Sequence, residues 1–176
     1  DMDVPEIDYV DLERGILLLE DLGDEHFEDV VVETAGSTTG DLEERKEAVA
    51  GYYREAIHVV VDLQQKSLQT AIQDDSDEQC VAFRRHFDWD ELRWELDHYL
   101  QWGLKAQYGD DVVGTYEEEL NDIFDELAGQ LAEMPKTVAL RDFQSRNLLC
   151  KNDEWHLIDF QDALTAPYIY DLVSLL

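Results

Sequence analysis

Two short motifs near the end of the chain combine residue types that can act on a metal-bound phosphate. In the first, Asp142 and Asn147 stand five positions apart in a loop after an apolar run, and in the second, Asp159 follows another apolar run. The first Asp can orient a substrate hydroxyl and accept its proton, while the Asn oxygen and the second carboxylate can hold magnesium on nucleotide phosphates. Magnesium prefers such hard oxygen ligands. Each motif alone is also typical of a polar turn, but their order and spacing together predict phosphoryl transfer.

A predicted β-hairpin would bring the two motifs together. Thr137 to Leu140 is predicted to be a short strand that leads into the loop. Asn147 to Cys150 and Trp155 to Ile158 then read as paired strands around the polar turn 151–154. This pairing would return Asp159 to the side of Asn147.

Most of the remaining pattern is helical. Apolar residues at helical spacing predict three helices before the motifs, and a further helix after Pro167. Gly15 to Leu19 reads instead as a buried strand that leaves into a turn. The predicted helices run from Leu42 to Gln69 with Asp41 as cap, from Phe87 with Asp88 or Asp90 as cap and Tyr99 on the buried side, and from Thr115 as cap to Met134.

The formal net charge of −30 is extreme for 176 residues. It excludes nucleic acids and anionic membrane surfaces as expected partners, since both are polyanions. The acidic residues are spread along the chain, which favours a solvated acidic shell, such as an adaptation to high salt. Attraction of cationic aminoglycosides is the alternative reading.

The sequence shows no membrane span, no secretory leader and no metal-binding cysteine pattern, and these features bear on the expected cellular location. The chain has no run of about 18 apolar residues, no secretory leader pattern, and only two cysteines, Cys80 and Cys150, without metal-ligand spacing. These features predict a cytoplasmic protein with no membrane span.

Four segments resemble the aminoglycoside phosphotransferase-like (choline kinase-like) family of small-molecule kinases. Within this family the chain is most similar to the bacterial kinases that phosphorylate the cell-wall amino sugars N-acetylmuramate and N-acetylglucosamine at the anomeric hydroxyl. The matching segments are Gly15 to Asp24, Phe87 to Leu96, Arg141 to Leu148 and Ile158 to Leu175.

The resemblance implies an α+β, protein kinase-like fold. Residues 1–24 would be the end of the N-terminal lobe sheet and the hinge, and residues 25–176 the helical C-terminal lobe, with a catalytic loop at 140–147 and a metal motif at 158–162. It also implies ATP or another nucleoside triphosphate and Mg²⁺ as cofactors, and a small-molecule acceptor such as an amino sugar.

Site roles follow from the motifs and the resemblance together. Asp142 is the expected catalytic base, and Asn147 and Asp159 are the expected metal ligands. By resemblance, the hinge would bind adenine through the Glu20 carbonyl and the Leu22 amide, on either side of Asp21. Further candidates are Trp94 to stack on a sugar, Glu95 to accept from its hydroxyls, Asp162 for a second metal or the substrate, and Arg146 for phosphate charge or for an ion pair with the acidic shell.

The chain departs from the family pattern in two ways. Leu140 stands where the family usually has a His that supports the loop backbone. The glycine-rich phosphate loop, the strand Lys and the partner-helix Glu are also missing. We therefore expect a fragment, truncated at both ends, with weak or no activity by itself.

Three other functions remain open from the sequence. The same site could phosphorylate an aminoglycoside, choline or another small alcohol, because a motif does not encode pocket shape. A kinase-fold domain could also act as a non-catalytic binding module. A metal-dependent hydrolase fits less well, since no His ligands accompany Asp142 and Asp159.

Overall fold

The computed structural model describes residues 4–73 and 80–176 of the chain. The helices in this part are α1 (Phe27–Gly36), α2 (Leu42–Gln73), α3 (Val81–Arg84), α4 (Trp89–His98), α5 (Lys105–Tyr108), α6 (Asp110–Gly114), α7 (Glu117–Ala132) and α8 (Tyr170–Leu175), with a π-helical segment, Tyr99–Leu104, between α4 and α5. The strands are β1 (Ile7–Asp11), β2 (Ile16–Leu19), β3 (Lys136–Ala139), β4 (Leu148–Lys151), β5 (Glu154–Leu157) and β6 (Leu164–Pro167).

The strands of the described residues form three antiparallel pairs, β1 with β2, β3 with β6, and β4 with β5. Helices account for most of the rest, which confirms the predicted α+β class. The predicted helix from Leu42 is also confirmed, although it continues to Gln73. Residues 74–79 of the loop predicted from Ile72 to Gln79 lie outside the described part.

The predicted hairpin between the two motifs is confirmed. Leu148 pairs with Leu157 and Lys151 with Glu154. Asn152 and Asp153 form the turn, both at positive φ, a conformation that Asn and Asp tolerate better than most residues. Two residues thus suffice to reverse the chain, and the ends of the two motifs become neighbours.

The largest buried cluster joins the hairpin to the long helix. Phe27 of α1 is fully buried and packs edge-on against Tyr53 of α2 and obliquely against Trp155 of β5. Such aromatic contacts add to the stabilisation from apolar burial. The cluster also contains Leu140, Phe143, Leu148, Leu157 and Leu175, so the segments that carry both motifs rest on one core. A second cluster, with Phe87, Leu92, Ala128 and Leu164, packs α4 and α7 on the pair β3–β6.

The strand predicted at Gly15–Leu19 forms, but its predicted burial is wrong. Gly15 at φ 66° closes the turn between β1 and β2. Every residue of β2 is exposed, and within the described residues its extensive packing is with β1 alone. The apolar run therefore predicted the strand correctly, but it predicted the burial of the strand incorrectly.

The structure decides one open detail of the helices and differs from the sequence prediction in two others. Asp88, not Asp90, caps α4 by accepting from the Glu91 N–H at 3.1 Å. Thr115 does not cap α7, because its hydroxyl donates to the carbonyl of Asp111 in the first turn of α6. Tyr99 is 54% exposed rather than buried, since the π-helical segment shifts the face that the apolar residues present.

None of the helices in the described residues is long and apolar enough to cross a membrane.

Candidate active site

The loop predicted to be catalytic, residues 140–147, begins where β3 ends and is anchored by two buried apolar side chains. Leu140 is 4% exposed and Phe143 is fully buried in the main core cluster. Arg141 between them lies at φ 75°, in the left-handed region that costs a non-glycine residue roughly 1 kcal/mol or more. This turn leaves Asp142 exposed at the surface, with its neighbours on both sides anchored.

The side chain of Asp171 in α8 forms hydrogen bonds to the backbone of this strained turn. Its fully buried carboxylate accepts from the Leu140 N–H at 2.9 Å and from the Arg141 N–H at 3.2 Å. Buried backbone N–H groups need such partners. The carboxylate therefore supports the loop backbone, the role that the resembled family gives to a His at the position of Leu140.

Burial raises the pKa of Asp171 to about 6, although the backbone donors favour its charged form. Because the pKa is near 4 in an unfolded chain, the folded state binds the proton more tightly. Asp171 then contributes most to stability below about pH 4, and this contribution is lost as the pH rises through about 6.

We expect the unfolding free energy of the protein, relative to an Asp171→Asn variant, to fall by up to about 3 kcal/mol between pH 4 and pH 7. The variant serves as reference because the many other carboxylates titrate in both proteins. Urea denaturation at several pH values measures the difference. A difference that stays constant with pH would contradict this assignment.

Asn147 is fixed at the end of the same loop. Its side chain is buried, and its Nδ2 donates to the Asp142 carbonyl at 2.7 Å. The Asn147 N–H also donates to the Gln144 carbonyl at 2.9 Å, which closes the loop as a turn. Since the amide nitrogen faces the loop, the amide oxygen Oδ1 is directed away from it.

Asp159 reaches the same end of the hairpin from the other strand. The Ile158 N–H donates to the Asn147 carbonyl at 3.0 Å, which extends the pairing of β4 and β5 by one step. Asp159 follows directly, at φ 62°, and its exposed carboxylate accepts from Gln161 Nε2 at 2.8 Å. Backbone contacts therefore link Asp142 to Asn147, and Asn147 to the residue before Asp159.

The donor set fits a magnesium ion held jointly with phosphates. Asn147 Oδ1 and the Asp159 carboxylate are hard oxygen ligands, and Mg²⁺ usually takes only one or two protein ligands beside phosphates and waters. In the described residues, no three His, Cys, Asp or Glu side chains converge as a metal cluster.

The predicted hinge lies beside the hairpin. Lys151 Nζ contacts the Glu20 carboxylate at 2.5 Å and the Asp21 carbonyl at 2.9 Å, and its hydrogen bond holds the pKa of Glu20 below the usual range. Leu22 is buried. Among the described residues, neither the Glu20 carbonyl nor the Leu22 N–H has a hydrogen-bond partner, so both groups can serve a ligand.

The residues predicted to contact the acceptor have different surroundings in the structure. Glu95 is paired with Arg141 at 2.8 Å, so its carboxylate positions the loop arginine. Trp94 is 49% exposed and lines a surface cavity with Arg141. Asp162 contacts Arg85 at 3.3 Å at the edge of this cavity.

Arg146 contacts α1 and does not line this cavity. The Arg146 guanidinium is largely exposed and lies 3.1 Å from the Glu28 carboxylate of α1. The backbone carbonyl of Arg146 lies 2.7 Å from His26 Nδ1. The contact with Glu28 is the ion pair that the sequence left open as the alternative to phosphate contact. Arg146 ties α1 to the loop in this arrangement.

Asp171, Lys151 and Arg85 were not identified as site residues from the sequence. Asp171 is an acid within the apolar segment Tyr170–Leu175, and that placement was the one available indication of a buried partner. Lys151 and Arg85 lie in polar stretches where nothing distinguishes them.

Comparison with known proteins gives consistent matches. A family model described as the phosphotransferase enzyme family matches residues 9–176. A protein of Neisseria meningitidis serogroup B named N-acetylmuramate/N-acetylglucosamine kinase is 27% identical over 175 residues, covering 99% of this chain and 46% of that protein. Proteins with the same name from Pseudomonas aeruginosa and Pseudomonas putida are 28% and 25% identical, covering 98% and 99% of this chain and 44% of each relative. The chain thus spans less than half the length of these relatives.

Proposed function

The chain belongs to the phosphotransferase enzyme family, and from this membership we propose that it carries the catalytic half of an ATP-dependent kinase for an amino-sugar hydroxyl. Membership, with the observed mixture of helices and small sheets, confirms the protein kinase-like α+β fold. Since the chain matches less than half of each relative, the activity is proposed for the full-length protein. Its cytoplasmic location is part of the same proposal, because ATP is available there.

The observation that carries the proposal is the junction of the catalytic loop with the β4–β5 hairpin. Asn147 donates to the Asp142 carbonyl, and its own carbonyl accepts from Ile158 next to Asp159. Two backbone-linked contacts thus connect the proposed base to both proposed ligands. Catalysis of phosphoryl transfer depends mainly on such positioning and on charge neutralisation.

In the proposed mechanism Asp142 orients the acceptor hydroxyl and takes its proton as the hydroxyl oxygen bonds to the γ-phosphorus. The bond from that phosphorus to the bridging oxygen breaks, and ADP leaves. Asn147 Oδ1 and the Asp159 carboxylate would hold Mg²⁺, which when bound neutralises phosphate charge. Asp162, three residues beyond Asp159, would assist the substrate side.

The nucleotide base would bind along the hinge. We assign residues 1–24 to the end of the N-terminal lobe and the hinge, and residues 25–176 to the C-terminal lobe. The Glu20 carbonyl and the Leu22 N–H then offer one acceptor and one donor to adenine, with Asp21 between them. Lys151 keeps this segment beside the turn end of the β4–β5 hairpin.

The amino sugar is proposed from the names of the relatives and from the composition of the cavity. Trp94 offers an apolar face for a sugar ring, and acidic side chains beside it can accept from hydroxyls. Glu95 would act mainly through Arg141. Aminoglycosides and choline are the competing acceptors, and a non-catalytic binding module is the competing class.

Transfer of radiolabelled phosphate by the full-length protein tests the proposal. ATP with a labelled γ-phosphate, Mg²⁺ and each of N-acetylmuramate, N-acetylglucosamine, an aminoglycoside and choline would be compared, at several salt concentrations because of the net charge of −30. We expect label in an amino sugar. Label only in an aminoglycoside or choline would overturn the acceptor, and nucleotide binding without transfer to any acceptor would favour the binding module.

A further inference from the structure

A cavity of about 440 Å³ opens beside the catalytic loop, between α4 and the residues that precede it. It is lined by Arg85, Asp90, Glu91, Trp94 and Arg141. Because Arg141 directly precedes Asp142, the cavity adjoins the proposed catalytic base. Its volume is in the range of small-molecule sites.

The charge of this cavity contrasts with the rest of the chain. The protein has 43 acidic residues and 13 Lys and Arg residues, yet two arginines face the same cavity. Guanidinium groups bind carboxylates through paired hydrogen bonds. With Asp90 and Glu91 as the two acidic residues of the lining, this cavity is less acidic than the chain as a whole and offers guanidinium groups to a ligand.

The two arginines are not equally available to a ligand. Arg141 is 24% exposed, pairs with Glu95 at 2.8 Å and lies over the Phe87 ring, 5.8 Å from its centroid. Arg85 is 40% exposed and has one ion pair in the described residues, at 3.3 Å to the half-exposed Asp162. Exposed pairs of this kind contribute little to stability, so a ligand carboxylate can compete for Arg85.

The remaining lining residues fix where an anion can sit. Asp90 and Glu91 lie in the first turn of α4 and would repel a carboxylate, while they can accept hydrogen bonds from sugar hydroxyls. Trp94 lies one turn further along and offers a ring face. The anionic end of a sugar is therefore directed to Arg85, at the side of the cavity nearest the 158–162 motif.

We propose that Arg85 is a specificity-determining residue that binds a carboxylate on the acceptor sugar, so that an acidic amino sugar is preferred over a neutral one. This inference rests on the proposed function and adds the chemical feature that selects the substrate. N-acetylmuramate carries a lactyl carboxylate, and N-acetylglucosamine is otherwise the same sugar without it. The two sugars named in the relatives therefore form a matched pair of probes.

Arg85→Gln in the full-length protein tests the inference, with kcat/KM measured for both sugars. We expect a loss of on the order of 10- to 100-fold for N-acetylmuramate, the effect of one charge-assisted hydrogen-bonded pair, and a change below about 3-fold for N-acetylglucosamine. The backbone contacts of Arg85, to the Val81 carbonyl and from the Thr165 N–H, do not involve its side chain, so the variant is expected to fold.

Arg84→Gln is the matched control, since Arg84 is the neighbouring exposed arginine and does not line the cavity. It is expected to leave both sugars unaffected. An equal loss for both sugars in Arg85→Gln, or a raised KM for ATP, would assign Arg85 to the phosphates or to the fold and overturn the inference. An unchanged ratio between the sugars would overturn it as well.

Calorimetric binding of each sugar without nucleotide separates this inference from the proposed function. If the protein binds N-acetylmuramate more tightly than N-acetylglucosamine through Arg85 but phosphorylates neither, the function fails and the inference stands. If it phosphorylates both sugars and Arg85→Gln binds them as the wild type does, the inference fails and the function stands. If it binds neither sugar, both fail.

Discussion

Asp142→Asn is expected to lower kcat by about 10²–10⁴-fold, the usual contribution of a general base in a positioned proton transfer. Asn keeps the size of the side chain but cannot take a proton. The loop itself should persist, because Leu140 and Phe143 anchor it in the core and Asp171 holds its backbone. Steady-state kinetics of the full-length protein measures the effect.

Nucleotide binding by the same variant provides the control for this prediction. The contact from Asn147 reaches the backbone carbonyl of Asp142, not its carboxylate, so the affinity for the Mg²⁺–nucleotide should stay within a few-fold. Turnover close to that of the wild type would remove Asp142 from the role of base. Loss of nucleotide binding would instead assign the residue to the metal.

Asp159→Asn is expected to lower kcat/KM for the Mg²⁺–nucleotide by about 10²–10³-fold and to raise the Mg²⁺ concentration needed for half-maximal rate. One anionic ligand is lost at the position where phosphate charge must be neutralised, and such electrostatic contributions are among the largest in catalysis. Asn is the appropriate replacement, because it tolerates the φ of 62° at this position. Rates measured over a Mg²⁺ titration give both quantities.

Asp153→Asn is a closely matched control for Asp159→Asn. Asp153 lies in the turn of the same hairpin at φ 63°, is exposed, and stands at the end of the hairpin away from Asn147. The same loss of charge in the same backbone conformation should leave the Mg²⁺ requirement unchanged. If both variants behaved alike, the effect at Asp159 would be due to general charge and not to metal ligation.

The positions of the motifs could be predicted from the sequence because local patterns determine them. The strands around 151–154 are short, apolar and separated by a polar turn, and the resulting register places Asn147 beside Ile158. Leu42–Gln73 likewise has a regular helical spacing of apolar residues over many turns. In both cases sequence-local chemistry and the final packing agree.

The parts that could not be predicted depend on contacts between distant segments. The support of the catalytic loop by Asp171 links residues about 30 positions apart, and no local pattern indicates that a carboxylate will be buried there. The exposure of β2 is of the same kind, since an apolar strand gives no information on which partners cover it. Helix α1 was not predicted at all, although Phe27 is central to the core.

In the candidate site, too, some residues could be predicted from local sequence and others depend on contacts between distant segments. The sequence provided Asp142, Asn147 and Asp159 as a set, because their types and spacing carry the chemistry. It offered Glu95 as a candidate for the substrate but not its pairing with Arg141, and it gave no reason to choose Arg85. Ion pairs on an acidic surface depend on side-chain geometry, which the order of residues alone does not determine.

Crystallography of the full-length protein with Mg²⁺ and a non-hydrolysable ATP analogue tests the central claim most directly. We predict an octahedral metal with Asn147 Oδ1 and an Asp159 oxygen among its ligands at about 2.0–2.1 Å, and the Asp142 carboxylate facing the γ-phosphate. A metal bound to the nucleotide without either side chain, with Asp142 turned away from the phosphates, would contradict the account.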